Sequence, residues 1–341
     1  MKAALLKKTG PSEEFRDNII IEDVPVPEIK DNEVLINIKF AALNHRDVWI
    51  AKGAYPGINL PVILGSDCAG IIHSTGSSVS NFKAGDEVII NPGFNWGSNE
   101  NFQSKDFKIL GMPDNGTLAE FISVSQSYIY KKPSHLNFTQ AAGIPLTGIT
   151  AYRALFNKAL LKKGDNLLIP GIGGGVSSSA LVFAVSTGAN VYVTSGSEDK
   201  IKKAVSLGAK GGANYKNDNW DKEILEMSGN NINVVIDGEG GDTFSKCMEL
   251  INYGGRIVCY GSTSGRSSNI PMARLFWKQL KIYGSTMGSS DDFAEMVNFI
   301  NDNKIVPVID EVFPLDNISE AFLRMNKGKQ FGKIVVSILD F

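Results

Sequence analysis

The rhythm of apolar and polar positions changes once along this chain, near residue 140. Upstream, short runs such as 34–40, 69–73 and 87–90 alternate at period two, which sends successive side chains to opposite faces of a strand. Between them lie reversal signals such as Lys83-Ala-Gly-Asp86 and Asp114-Asn-Gly116, rich in residues that stabilise tight turns. The pattern predicts a β-rich domain with irregular connections. Residues 1–8 are too briefly apolar for a secretion leader and read as an edge strand.

Downstream the period lengthens. Helical stretches near 140–157, 176–187, 198–207 and 242–252 alternate with apolar strands near 166–170, 190–194, 233–236 and 256–260. Such alternation predicts an α/β fold with a doubly wound parallel sheet, because parallel neighbours need a crossover connection, usually a helix. Residues 291–303 read as a further helix and 331–338 as a closing strand. Residues 91–114 form a long polar stretch without periodicity. Loops of that length are surface lobes or functional segments.

The sharpest local signal lies where one apolar run ends at Pro170-Gly-Ile-Gly-Gly-Gly-Val176 and a helical pattern begins at once. Gly173, Gly174 and Gly175 let the backbone turn sharply and approach a ligand with no Cβ in the way. The helix opening at Val176 presents free N–H groups and the positive end of its dipole, which suit a pyrophosphate. A second strand follows at 189–194 and completes a βαβ unit. The spacing departs from G-x-G-x-x-G, since Ser177 holds the last small position in Gly171-x-x-Gly174-x-x-Ser177. The strand before and the helix after are what point to a dinucleotide.

Composition narrows the choices. At 341 residues, two domains are expected. Thirty-four basic against 36 acidic residues leave a net charge of −2, which gives no broad pull toward nucleic acid or a membrane surface. No apolar stretch approaches the ~20 residues of a membrane span. The 3 cysteines, Cys68, Cys247 and Cys259, are isolated. They argue against a disulfide framework and a Cys-rich zinc site, and they suit a reducing, cytoplasmic compartment.

Several short motifs are more specific in their order than any one is alone. Gly65-Ser-Asp-Cys-Ala-Gly70 and Gly85-Asp-Glu-Val88 lie in the β-rich part, followed by Pro145-Leu-Thr-Gly-Ile-Thr-Ala-Tyr152 and the glycine turn. Then come Thr194-Ser-Gly-Ser-Glu-Asp-Lys200, Leu207-Gly-Ala209, Gly254-Gly-Arg-Ile-Val258 and Gly332-Lys-Ile-Val-Val336. Over essentially its whole length the chain resembles the medium-chain dehydrogenase/reductase superfamily. The resemblance implies a GroES-like catalytic domain at 1–146 and 289–341, a Rossmann nucleotide-binding domain at 147–288, and an active site in the cleft between them. Asn44-His-Arg-Asp47, Gly53-Ala-Tyr-Pro56 and the run ending at Tyr152 are most similar to the quinone oxidoreductase and enoyl (alkenal) reductase branch.

In the superfamily's zinc alcohol dehydrogenases a Cys, a His and a Cys hold the catalytic metal. The matching positions here are Asn44, Ser66 and Leu146, none of them the thiolate, imidazole or carboxylate that zinc prefers. The cysteines of a structural zinc would fall within 91–114, which has none, and Trp49 stands where those enzymes often keep a relay histidine. His45, His73 and His135 are scattered and read as surface or structural residues. No metal is therefore expected. Without a Lewis acid for an alkoxide, the expected chemistry is hydride addition to an acceptor that is already electrophilic. A quinone or the C=C bond of an α,β-unsaturated carbonyl fits.

A Rossmann fold that prefers NAD usually ends its second strand in Asp or Glu, which grips the ribose 2′-hydroxyl. That position holds Ser195, in Thr194-Ser-Gly-Ser197, so nothing there repels a 2′-phosphate. Lys200 follows five residues on, and Tyr215 matches an adenosine-side residue of the quinone reductases, while Glu198 and Asp199 weaken the local positive field. The expected cofactor is NADPH, with Ser195, Gly196, Ser197, Lys200 and Tyr215 around its adenosine. On the nicotinamide side the resemblance implies Thr150 and Met287, with Gly238, Tyr260 and Gly261 ending later strands. Lys327 and Lys329 match a second phosphate-binding position more loosely.

For the reacting end the candidates are Asn44, Tyr55 and Arg46, as donors to an enolate oxygen or, for Tyr55, as a proton source. Each also has a structural role open to it: Asn44 bonding backbone, Arg46 pairing with Asp47 or Asp67, Tyr55 serving the turn beside Pro56. Two other functions stay open: a zinc-free alcohol or aldehyde reductase on the same fold, and a non-enzymatic NADPH-binding protein. The expected partners are a small-molecule substrate and further copies of the chain, a dimer or tetramer joined through the strands at 256–261 and 280–287.

Overall fold

The structure, a computed structural model, describes residues 1–265 and 269–338. It divides into two compact units, Met1–Thr147 with Gly288–Phe341, and Gly148–Met287.

The first unit opens with strands β1 (Lys2–Leu6), β2 (Ile19–Asp23), β3 (Glu33–Ala42), β4 (Val62–Ile63), β5 (Asp67–Thr75) and β6 (Glu87–Ile90). They are followed by β7 (Gly93–Phe94), β8 (Lys108–Ile109), β9 (Phe121–Ser125) and β10 (Ile129–Lys131). Helices α1 (Phe15–Asn18), α2 (His45–Ala51) and α3 (Phe138–Ala142) punctuate them, and α4 (Pro145–Tyr152) carries the chain into the second unit. The expected edge strand is instead a central one. β1 lies between β2 and β4, antiparallel to both. Its apolar run Ala3-Ala-Leu-Leu6 does not alternate, as suits a strand covered on both faces. The helix expected at 140–157 is three pieces: α3, α4 and a π-helical turn, Arg153–Lys158. The break falls at Gly143-Ile-Pro145, because proline lacks an N–H and its ring pushes the preceding residue out of helical geometry. The polar stretch 91–114 is pinned by the ribbon β7–β8 and by buried Trp96, edge-on to Phe107 at 5.3 Å.

The second unit holds β11 (Asn166–Ile169), α5 (Gly175–Thr187), β12 (Asn190–Ser195), α6 (Glu198–Ser206), β13 (Gly211–Asn214) and α7 (Trp220–Met227). It continues with β14 (Ile232–Asp237), α8 (Gly241–Leu250), β15 (Ile251–Cys259), α9 (Met272–Trp277) and β16 (Lys281–Gly284). The strands form one parallel sheet in the order β13-β12-β11-β14-β15-β16. Chain order reverses between β11 and β14, the switch point beyond whose strand ends α/β sheets bind ligands. β11 is buried at every position. α5 stops at Gly188, whose φ of +82° is the left-handed ending that glycine supplies cheaply. The apolar pattern does not mark β13, where Gly211-Gly-Ala-Asn214 has too few side chains to alternate.

The chain then returns to the first unit as α10 (Ser290–Asn303), β17 (Ile309–Pro314), α11 (Ile318–Asn326) and β18 (Lys333–Ser337). The large sheet there runs β10-β6-β5-β3-β18-β17, with β9 also on β3. Val336 lies opposite Ala41, so the tail completes the core that Ile36, Ile38, Leu43 and Phe322 share. Each such large apolar side chain contributes about 1.5–3 kcal/mol on burial. Among the described residues no helix is long and apolar enough to cross a membrane.

Candidate active site

In the first unit, Asn44 sits at the junction of β3 and α2. Its backbone N–H donates to Asp47 Oδ2 at 2.8 Å. Its side chain is held in a buried polar network: Nδ2 donates to Asp67 Oδ2 at 2.9 Å, and Oδ1 accepts from Lys333 Nζ at 2.7 Å. Lys333 also donates to Asp67 Oδ2 and to the Leu43 carbonyl, both at 2.8 Å. The Leu146 N–H donates to Asp67 Oδ1 at 2.8 Å. All three ammonium donors are thereby used, which a buried lysine requires. Asn44 thus bonds buried side chains rather than the backbone alone, and one of its two amide N–H donors is committed. Asp67 and Lys333 are not among the candidates for the reacting end; the available signal was a charge at the first position of each of two strands, β5 and β18.

Arg46, on α2, is 9% exposed. Its Nη1 donates to Ser66 Oγ at 2.9 Å and to the Leu110 carbonyl at 2.8 Å, and its guanidinium lies over the Tyr55 ring at 5.2 Å. It pairs with neither Asp47 nor Asp67, and its buried Nε has no partner. Burial raises the Asp47 carboxyl above its ordinary range, against the pull of Arg46, the Asn44 N–H and Lys333. Among the described residues the Tyr55 hydroxyl makes no hydrogen bond.

The positions that match metal ligands are therefore engaged otherwise: Asn44 with Lys333 and Asp67, Ser66 with Arg46 and the Leu110 carbonyl. Leu146 has no donor side chain. Among the described residues no three His, Cys, Asp or Glu side chains gather as a metal site. Burial pushes the Cys68 thiol far above its usual range, with the Asp67 charge adding to it. The histidines lie apart. His45 lies at a tilt beside Trp49, ring centres 5.7 Å apart, His73 meets Phe121 at 5.5 Å, and His135 Nε2 bonds the Ile305 carbonyl at 3.0 Å.

In the second unit the glycine turn has the geometry that only glycine adopts readily, with φ of +63° at Gly171 and +130° at Gly173. Gly174 caps α5, which starts at Gly175 and Val176. Buried Ser177 is accommodated because its Oγ donates to the Gly174 carbonyl at 3.1 Å. The Lys200 ammonium lies over the turn: a Cβ at Gly173 would stand 3.0 Å from Lys200 Nζ. Ser195 ends β12, and its Oγ accepts from the Ser197 N–H at 3.3 Å. A Cβ at Gly196 would stand 2.7 Å from Tyr215 Oη and 3.0 Å from Lys216 Cε. So Gly173, Ser195, Gly196, Lys200 and Tyr215 gather beyond the ends of β11 and β12. Lys216, which the motifs do not flag, joins them, while Glu198 turns aside to accept from Asn214 Nδ2 at 2.9 Å.

Thr150 Oγ1 donates to Met287 Sδ at 3.8 Å, and Met287 is buried at a strained φ of +41°. Such strain persists only where surrounding structure enforces it. The Tyr260 ring covers Gly238, where a Cβ would stand 2.5 Å from it. The Gly261 carbonyl accepts from Cys259 Sγ at 3.2 Å. Beneath lies Asp237, fully buried, whose carboxyl is pushed up to about 6 by burial against the N–H groups of Glu239 and Gly240. Lys327 and Lys329 are exposed just past α11, in the first unit.

Residues 30–134 match the family model of the alcohol dehydrogenase GroES-like domain, and residues 175–302 match that of zinc-binding dehydrogenases. The zinc-type alcohol dehydrogenase-like protein YogA of Leptosphaeria maculans is 38% identical over 340 residues, 94% of either chain. A crystal structure of an NAD-dependent alcohol dehydrogenase matches with a TM-score of 0.93 at 36% identity, covering 99% of this chain and 100% of that one. The 2-octenoyl-CoA carboxylase reductase CinF, in complex with NADP and 2-octenoyl-CoA, matches with a TM-score of 0.88 at 27% identity, covering 98% and 87%.

Proposed function

The chain belongs to the medium-chain dehydrogenase/reductase superfamily and is an oxidoreductase. From that premise we propose that it reduces, with NADPH and without zinc, the C=C bond of an α,β-unsaturated carbonyl compound or a quinone. What carries this function is the occupation of the metal-ligand positions. Asn44 and Ser66 are bonded to an ammonium and a guanidinium, and Leu146 has no donor. Two fixed cations beside such a position, with no thiolate or imidazole, do not fit a zinc centre.

Bound NADPH supplies the hydride. The N–H groups of Gly174, Gly175 and Val176 suit its pyrophosphate, and Lys200 and Lys216 suit a 2′-phosphate beside Ser195, Gly196, Ser197 and Tyr215. Thr150, Met287, Gly238, Tyr260 and Gly261 serve the nicotinamide half. CinF, which was solved with NADP, supports the phosphorylated form. Reduction at the β-carbon leaves negative charge on the carbonyl oxygen. Arg46 supplies a permanent positive charge for that oxygen, in surroundings dry enough to make it count. Tyr55 donates to the same oxygen or supplies the proton that completes the reduction. Asn44 keeps one amide N–H for the same end.

A second reading, reduction of simple aldehydes and ketones, is favoured by the names of YogA and of the NAD-dependent enzyme. The two separate when the purified protein is given NADPH or NADH and a panel of enals, enoyl thioesters, quinones and saturated ketones, with nicotinamide absorbance followed. Turnover of enones or quinones by metal-free protein supports the proposal. Turnover of saturated carbonyls alone, lost to a chelator and restored by Zn²⁺, would overturn it.

A further inference from the structure

Glu239 follows β14, directly across the switch point from the glycine turn that follows β11. Its carboxylate reaches over that turn: a Cβ at Gly171 would stand 2.2 Å from Glu239 Oε1 and 2.4 Å from its Cδ. The side chain is not loose. Ser264 Oγ donates to Glu239 Oε2 at 2.8 Å, the Ser264 N–H donates to the Glu239 carbonyl at 2.8 Å, and the Glu239 N–H donates to Asp237 Oδ1 at 2.8 Å. Backbone and one carboxylate oxygen are thus fixed. Oε1, the oxygen nearest the turn, has no protein donor among the described residues.

The cluster that suits an adenosine (Ser195, Lys200, Tyr215) comes from β12, α6 and the segment after β13, all on the far side of β11. A dinucleotide with its pyrophosphate at the start of α5 must therefore run its second nucleoside toward β14. Over the turn on that side lies a carboxylate with one bare oxygen. Like charge makes that oxygen a poor neighbour for phosphate. A ribose diol offers two O–H donors instead, and hydroxyls bonded to an ionised carboxylate form short, charge-assisted hydrogen bonds. From this geometry we infer that Glu239 binds the cofactor, its Oε1 accepting from the ribose hydroxyls of the nicotinamide half, with Ser264 and Asp237 as positioning residues. The inference rests on the dinucleotide reading above and adds a contact to it.

The test compares two probes by calorimetric titration: NADPH, and adenosine 2′,5′-bisphosphate, which lacks the second ribose. In Glu239→Ala and the isosteric Glu239→Gln, Kd for NADPH rises about tenfold or more, the worth of one charge-assisted hydrogen bond. Kd for the bisphosphate stays within about twofold. Ser264→Ala, which frees the carboxylate, shifts NADPH in the same direction by less. Unchanged or tighter NADPH binding in both Glu239 variants would overturn the assignment, leaving Glu239 as a structural neighbour of the turn. Equal weakening of both probes would also overturn it, since that marks damage to the turn itself. If the wild-type chain binds neither probe, the dinucleotide reading has failed and this contact falls with it.

Discussion

Arg46 is a buried cation that makes no direct ion pair, although its field reaches the Asp47 carboxyl. Ser66, the Leu110 carbonyl and the Tyr55 face hold it by dipoles and a ring, which stabilise a guanidinium less than an anion would. On the proposed function, its charge serves an oxyanion that forms on the substrate. In Arg46→Gln, kcat/KM for an enone falls by about a hundredfold, the scale of one lost oxyanion donor. The melting temperature of that variant changes little, because glutamine keeps amide donors for Ser66 Oγ and the Leu110 carbonyl. Steady-state kinetics beside a thermal melt check both, and an unchanged kcat/KM would take Arg46 out of the reaction. Lys200→Ala raises Kd for NADPH about tenfold and leaves NADH nearly unchanged, as befits a point charge that meets only the extra phosphate. Arg46 and Asn44 stand out in a four-residue run, whereas Asp67 and Lys333 acquire meaning only by meeting, 266 positions apart. No local pattern announces such a pair.

The proposed binding residues lie on the β–α connections, where backbone geometry constrains substitution most. Gly173→Ala forces a Cβ against Lys200 at a φ of +130°. A cost of about 1–3 kcal/mol and a marked loss of NADPH affinity are expected, measurable by denaturant titration and calorimetry. At the β14–α8 turn, Asp237 titrates near 6 when folded, above the 3.8 of a free side chain. The folded state therefore holds the proton more tightly than the unfolded chain does. With respect to this group, stability is greatest below about pH 4 and falls as pH rises from about 4 to about 6, by at most ~1.4 kcal/mol per unit. Asp237→Asn removes that fall. Melting curves of wild type and variant should converge or cross over this window, and parallel curves would show that Asp237 is not its source. Apolar strands such as β11 and the helix after the glycines are visible as periodicity. β13 is not, and the break at Pro145 hides inside an apolar run, because backbone geometry rather than hydropathy decides both.

Across the whole molecule, the six-stranded sheet ends at β16, whose outer edge has no partner among the described residues. The elements leading into it carry exposed aromatics: Tyr253 on β15 is 66% exposed, and Phe276 and Trp277 on α9 are 64% and 68% exposed. Open edges and apolar side chains of this size are what association covers. Light scattering is expected to give twice the 36.9 kDa chain mass or a larger multiple, and Trp277→Glu to shift the population toward single chains. A wild-type particle of single-chain mass at micromolar concentration would refute this. The division of labour between β-rich and α/β halves was visible as a change of period. The earlier half's dependence on the tail was visible only through the resemblance, since hydropathy says nothing of which strands become neighbours.

That dependence has a consequence during synthesis. β3 pairs with β18, and Asp67 waits for Lys333. The Gly148–Met287 unit is continuous in the chain and can fold as soon as it leaves the ribosome. The first unit thus cannot complete its large sheet until β18 is made, and the edge of β3 that β18 covers stays open for that interval.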